Sequence, residues 1–370
     1  MLQRLYIHNY RCLENFEFKP GDASSVLLIG KNGSGKSTLA QALKIFQAIG
    51  RGSNRVASLV RPRDFSLGRT GVPMRLELQV SLAGRVFRYT LALDLPDRLK
   101  ELRVLEESFV VDGVPLYTRD LAQVTVQGQN AAQPEARFSM DWHLVALPVI
   151  QDPSTTDALS TFREWLARMV LLAPMPRLMR SETEEESLQP DEDASNLADW
   201  LSGLLAQYPA AYAPLGQYLQ QVMPDLADFR FERAGKETKA LLVRFKAGNA
   251  QHEFDFDALS DGEKCFFLCG VVLAANQSYG PLLAFWDEPD NYLSLSEVSH
   301  FVMALRRGFH QGGQLLITSH NEEAVRRFSN NNTWVLGRKS HLEPTVIRSL
   351  EEIAPGTDLI QALICGELEP

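Results

Sequence analysis

Apolar and polar positions change period several times along the chain. Leu5-Tyr6-Ile7 and Phe16-Glu17-Phe18 flank a polar step, and Val26-Leu27-Leu28-Ile29 is an unbroken apolar run suited to a buried parallel strand. The spacing then predicts a helix from 36 to about 48, closed by Gly50. Period-two alternation returns over 75–80 and 86–92, joined through Leu82-Ala83-Gly84. Asp112-Gly113, set between two further apolar stretches, reads as a tight hairpin turn. These segments predict an antiparallel meander inserted after the first helix. From 154 to about 223 apolar residues recur every three and four positions, which predicts helices over 155–172, 196–205 and 212–222. Between them, 181–195 is acidic and poor in apolar residues and predicts a mobile loop. Strands are predicted again at 240–245 and 253–256 around Gly248-Asn249, followed by alternating helix and strand to about 336. No internal repeat and no sustained heptads are present.

Composition narrows this picture. Apolar residues make up 45% and charged residues 22% of the 370, the balance of a globular protein with a substantial core. No uninterrupted apolar run is long enough to span a membrane, and Met1-Leu2-Gln3-Arg4-Leu5 leads into an alternating strand rather than a signal stretch, so a cytoplasmic protein is expected. Cys12, Cys265, Cys269 and Cys365 form no C-x-x-C pair. Cys265 and Cys269 lie four apart in an apolar run, which predicts core packing on one helix face. The net charge of −9 gives no support to indiscriminate nucleic-acid binding. Locally, however, Arg51, Arg55, Arg61, Arg63, Arg69 and Arg75 face a single acid, Asp64.

Four segments carry candidate chemistry. Gly30-Lys31-Asn32-Gly33-Ser34-Gly35-Lys36-Ser37 fits G-x-x-x-x-G-K-[ST] and lies between an apolar strand and a helix. In that context the glycines let backbone N–H groups turn toward phosphates, Lys36 reaches the β- and γ-phosphates, and the Ser37 hydroxyl holds Mg²⁺, so ATP and Mg²⁺ are the expected cofactors. Thr38 follows as part of the same nucleotide-binding run. The run 282–286 ends in Asp287-Glu288-Pro289, a buried strand delivering two carboxylates at its C-terminal end. Asp287 is the candidate metal ligand and Glu288 the candidate general base. Leu259-Ser260-Asp261-Gly262-Glu263-Lys264 fits a capping box before an apolar helix at 265–275. Leu315 to His320 is another apolar strand, ending in a histidine.

Together these segments resemble the RecF, SMC and OLD-nuclease branch of ABC-type ATPases. The segment 259–264 resembles the Leu-Ser-Gly-Gly-Gln signature, with Asp261 and Glu263 as departures, and it precedes the acid pair at the spacing of that family. The stretch 5–15 resembles the family's opening strand and Asn-Phe-Arg-Ser turn, here Asn9-Tyr10-Arg11-Cys12. The stretch 188–201 resembles its Asp-Gly-Ser-Asn-Leu-Ala segment through Asp191, Asn196, Leu197 and Ala198.

The resemblance implies an α/β P-loop NTPase fold: an ABC-type core of parallel sheet flanked by helices, with an antiparallel meander and a helical insertion between P-loop and signature. It divides the chain into a nucleotide-binding lobe (1–150), a helical insertion with the acidic loop (151–235), and a lobe with signature, Walker B acids and histidine switch (236–370). It further implies that Arg11 approaches the nucleotide, that Ser260 and Gly262 face the γ-phosphate bound by an opposite subunit, and that His320 contacts that phosphate and the attacking water. Ser294 stands where the family has an aspartate or histidine, and Gln79 and Gln151 are candidates for the Q-loop glutamine. The implied activity is that of an ATP-driven homodimeric switch. Only about fifty residues follow His320, so a nuclease or toxin activity is expected in a separate effector, in antiphage defence or a toxin–antitoxin system. The alternative is a DNA-binding sensor or repair ATPase, with nucleic acid meeting the arginines at 51–75. A transporter subunit is disfavoured by the long P-loop-to-signature distance, and an AAA+ machine leaves 259–264 unexplained.

Overall fold

The computed structural model describes residues 1–96, 101–127, 135–151 and 158–353. Two compact units emerge: 1–23, 28–169 and 330–370 form the first, and 24–27 with 170–329 form the second. The strand Ser25–Ile29 therefore belongs to both.

The first unit is organised by an eight-stranded antiparallel sheet. Met74–Leu82 alternates buried and half-buried along its whole length, as a strand covered on one face must. It pairs with Leu2–His8 on one side and Arg85–Asp94 on the other, and the meander continues through Arg103–Val111, Val114–Asp120, Gln123–Val126 and Ala136–Ser139. Asp112 and Gly113 take φ of 51° and 83°, the left-handed pair that a two-residue hairpin requires. Helices Lys36–Gly50 and Ala158–Ala167 pack on the buried face. Phe46 meets Tyr89 edge-on at 6.1 Å, and Phe162 lies 4.9 Å from Phe109 and 6.0 Å from Phe87. Gly50 is required by this packing, because a Cβ there would stand 2.5 Å from the Leu166 side chain. The antiparallel pair Thr333–Gly337 and Val346–Ser349 completes the unit.

A carboxylate lies at the centre of the meander. Glu107 is fully buried and accepts hydrogen bonds from Tyr89 (3.0 Å), Tyr117 (2.8 Å), Ala146 N (2.7 Å) and Leu147 N (2.9 Å). Arg119, equally buried, approaches it at 3.5 Å and donates to the carbonyls of Leu121, Asp141 and Leu144. Burial pushes the Glu107 carboxyl above its usual range, against the pull of Ala146 N, Tyr117, Leu147 N and Arg119.

The second unit is built on parallel strands. Val170–Leu172, Leu283–Trp286 and Gln314–Thr318 run side by side, and Leu315 N donates to Ser24 O at the start of Ser25–Ile29. All three strands are buried throughout. Helix Asp261–Tyr279 is apolar on nearly every side and almost wholly buried, which places it in the core. Helix Leu295–His310 packs Phe301 edge-on against Trp286 at 5.4 Å. Helices Leu197–Gln207 and Tyr212–Val222 and a small antiparallel sheet around Lys239–Ala247 cover the rest.

Two predicted elements are corrected. The helix expected over 155–172 is Ala158–Ala167 in its described part, and Val170–Leu172 is instead a parallel strand beside the acid-bearing one; 155–157 fall outside the described residues. The expected mobile loop at 181–195 is tied down: Glu182–Thr183 pairs with Lys239 and Ala240, Ser187 N donates to Asp199 O, and Asn196 bonds Asp191 N and Gln189 O. Strand Leu226–Arg233 has no counterpart in the expectation. Cys265 and Cys269 are core residues as expected, and burial pushes the Cys265 thiol up to about 12, leaving it unreactive; Cys365 lies outside the described residues.

Candidate functional site

The P-loop lies in the first unit. The buried strand Ser25–Ile29 delivers Gly30, whose φ of 155° and close approach to the Leu336 carbonyl exclude any side chain. Gly35 has φ 105°, and a Cβ there would meet Thr345 Oγ1 at 2.8 Å and Cys12 Sγ at 3.2 Å. Thr345 braces the loop from outside, its hydroxyl donating to Ser34 O at 2.9 Å and its N–H to Cys12 O at 2.8 Å. Helix Lys36–Gly50 starts directly after Gly35 with no side-chain cap and no acid in its first turn. Its first N–H groups and the positive end of its dipole thus suit an anionic ligand. The Lys36 ammonium sits in the loop, 2.7 Å from Gly30 O. Lys31, Asn32, Gly33 and Ser37 are exposed, Ser34 is buried, and Thr38 is half-buried with its hydroxyl 3.6 Å from Cys12 Sγ.

A cavity of about 420 Å³ opens beside the loop, lined by Lys31, Asn32, Gly33 and Ser34 and, opposite, by the segment 336–346. That segment contributes Arg338, Lys339 and His341 against the single acid Glu343. Arg338 donates to the carbonyls of His341 and Glu343 and so fixes its shape. Sequence reasoning missed these residues, since a short basic stretch between two strands reads as solvated turn.

Arg11 adopts φ 50°, and its N–H bonds Asp64 O at 2.7 Å. Its guanidinium is held by Asp64 Oδ1 at 3.0 Å and by Gln41 on the P-loop helix, over the Tyr10 ring. The arginines at 51–75 are largely committed inside the unit. Arg51 donates to Ala167 O, Arg55 faces Glu101, Arg69 pairs with Glu14, and Arg75 bridges Glu77 and Glu106. Arg61 and Arg63 are exposed. Four of the six are thus engaged within the unit, although Arg55, Arg69 and Arg75 keep much of their side chains in solvent.

The acid pair lies in the second unit with the histidine and the signature-like segment. Asp287 leaves the strand with its N–H on Leu172 O. Glu288 adopts φ 49°, a left-handed conformation that costs a non-glycine residue about 1–3 kcal/mol. Thr318 joins the two acids, its hydroxyl donating to Asp287 Oδ1 and accepting from Glu288 N at 2.9 Å. The Glu288 carboxylate lies between Asn291 Nδ2 (2.7 Å) and His320 Nε2 (3.5 Å), and both Glu288 and His320 remain accessible, their side chains 34% and 42% exposed. A carboxylate held this way, half in solvent, suits a group that takes a proton from water.

Ser260 caps helix Asp261–Tyr279 through a complete capping box: its hydroxyl accepts from Glu263 N, while its own N–H and hydroxyl both donate to Glu263 Oε2 at 2.7 Å. Gly262 faces the loop after the acid pair, where a Cβ would make a tight contact of 3.1 Å with Tyr292 O. Asp261 pairs with the exposed Arg177 at 3.4 Å. Ser294 has a structural task of its own, capping helix Leu295–His310 in a second box with Glu297. Gln79 accepts from Arg88 on the meander, and Gln151 is exposed.

Comparison with known proteins agrees with this architecture. Residues 1–60 match the family described as AAA ATPase domain. The fold matches that of an SMC head bound to the C-winged helix domain of ScpA, with TM-score 0.55, 13% identity, and coverage of 95% of this chain and 98% of that one. It also matches an SMC head with an extended coiled coil bound to the C-terminal domain of ScpA, a structure derived from Pyrococcus furiosus, with TM-score 0.54, 12% identity, and 95% and 97% coverage. An SMC head domain from Thermotoga maritima aligns at TM-score 0.49 and 12% identity over 94% and 98% of the two chains. No curated protein matches the sequence. The chain therefore has an SMC-head-like α/β fold, and its first 60 residues are similar to an AAA ATPase domain. Among the described residues no helix is long and apolar enough to cross a membrane, and no group of three or more His, Cys, Asp or Glu could hold a metal unaided.

Proposed function

We propose that the protein hydrolyses Mg-ATP and uses the cycle as a dimeric switch acting on a separate effector. The observation that carries hydrolysis is Glu288, held in a strained backbone with its carboxylate between Asn291 and His320. Glu288 takes the proton of the attacking water, and His320 orients that water and the γ-phosphate. Gly30 to Thr38, with Lys36 among them, hold the triphosphate on the uncapped helix start, and Arg11 approaches the nucleotide. Ser37, exposed, and Asp287, half-exposed, are the residues that would hold Mg²⁺, which would supply neutralisation of phosphate charge.

In the dimer, Ser260 and Gly262 of one subunit face the γ-phosphate of the other, with helix Asp261–Tyr279 presenting its N-terminus. The SMC-head-like fold supports this reading. An effector nuclease or toxin, in defence or toxin–antitoxin control, is the role we favour. Light scattering on Glu288→Gln with Mg-ATP tests the arrangement. We expect an ATP-dependent dimer that Ser260→Arg abolishes while ATP binding persists. A chain that binds ATP yet stays monomeric would leave 259–264 as a helix cap alone.

A further inference from the structure

We infer that Asp290 and Ser319 form a latch that positions His320 against Glu288, a role that rests on the hydrolysis proposed above. Asp290 lies three residues past the acid pair's start and is 6% exposed, and Ser319, immediately before His320, is wholly buried. The Ser319 hydroxyl donates to Asp290 Oδ2 at 3.1 Å and accepts from Asn321 N at 2.9 Å. The residues on both sides of His320 are therefore tied to one oxygen, and that oxygen to the loop carrying Glu288. Asn321 is anchored in turn, accepting from Glu323 N at 2.9 Å as the cap of Glu322–Val325. On the loop side, Asp290 O accepts from Leu293 N, so the latch continues into the turn that meets Gly262 through Tyr292.

The chemistry is costly for a purely structural contact. The second carboxyl oxygen, Asp290 Oδ1, is buried without a hydrogen-bond partner. A buried polar group left so is a net cost, and an apolar residue of similar size would serve packing better. What the carboxylate does provide is direction. It fixes the Ser319 rotamer, and with it the backbone from which His320 reaches Glu288 at 3.5 Å. Thr318 makes the parallel tie on the other side of Ser319, to Asp287 and Glu288 N. Asp290 and Ser319 are thus positioning residues, acting through the histidine.

The test is steady-state ATP turnover by Ser319→Ala, Asp290→Ala and Asp290→Asn, each also combined with His320→Ala. We expect the two alanine variants to lose about 10- to 30-fold in kcat with KM within about twofold of wild type, since misplacing one group affects chemistry more than binding. Asp290→Asn keeps an acceptor for Ser319 and recovers most of that loss. In the His320→Ala background, Ser319→Ala has no further effect. If its loss instead multiplies with that of His320→Ala, or if Asp290→Asn is as impaired as Asp290→Ala, the contact only stabilises the fold and the proposal is overturned. Glu288→Gln in the same assay separates the two levels. Turnover unchanged there removes the hydrolysis assignment and the latch with it. A dead Glu288→Gln beside a fully active Ser319→Ala overturns the latch alone.

Discussion

Glu288→Gln is expected to lower ATP turnover by about 10²- to 10⁴-fold, the usual contribution of a general base such as the one proposed above. The amide keeps the volume of the carboxylate and can still accept from Asn291 Nδ2, so the left-handed backbone at 288 and the tie to Thr318 persist. What disappears is the basic oxygen facing His320. ATP affinity holds within about threefold, because the phosphate-binding backbone at 30–37 is untouched. Phosphate release and nucleotide binding, measured separately, check both halves. Turnover within threefold of wild type would mean that the base lies elsewhere.

Glu107→Ala is expected to unfold the first unit at a distinctly lower urea concentration, with a loss of about 3–5 kcal/mol. The substitution strips Tyr89 and Tyr117 of their acceptor, leaves Ala146 N and Leu147 N unpaired, and removes the carboxylate beside the buried Arg119. Leaving one member of a buried ion pair costs more than the pair itself contributes. Replacing both members, Glu107→Leu with Arg119→Leu, therefore recovers part of the loss although it deletes more contacts. The pH dependence has a defined sign. Glu107 is shifted above its unfolded value, so its titration favours the fold at pH below the unfolded carboxyl range, and that advantage is lost as pH rises through the folded value. Denaturation curves showing less than about 1 kcal/mol lost on Glu107→Ala would mean that the segment 141–147 is held by packing alone.

Legibility of the sequence followed the range of the interactions involved. The P-loop could be read because its requirements are local: positive φ at glycine, a strand before it and a helix after it. The capping box at Ser260 and the hairpin at Asp112-Gly113 were readable for the same reason. Val170–Leu172 was misread because three apolar residues following a helix continue its period as readily as they start a strand, and only the pairing with Ala284–Trp286 decides. The stretch 181–195 looked free because its anchors, Asp199, Lys239 and Ala240, are supplied from outside it. The arginines at 51–75 were visible as charge, but Glu14, Glu77, Glu101 and Glu106 come from other strands and turns. The polar ties of Thr318, Ser319 and Asp290 depend on the register of two parallel strands and leave no local pattern.

The capping box at Ser260 also shapes how a dimer of this kind would hold together. Glu263 already occupies the hydroxyl and N–H that an incoming phosphate would need. A phosphate oxygen docking there exchanges one anionic acceptor for another, so the gain is the difference between two similar contacts rather than a full new one. In the dimer proposed above, Glu263 would be an internal competitor for the partner's nucleotide. A joint built on such an exchange would close reversibly, the carboxylate returning to Ser260 once the γ-phosphate had gone.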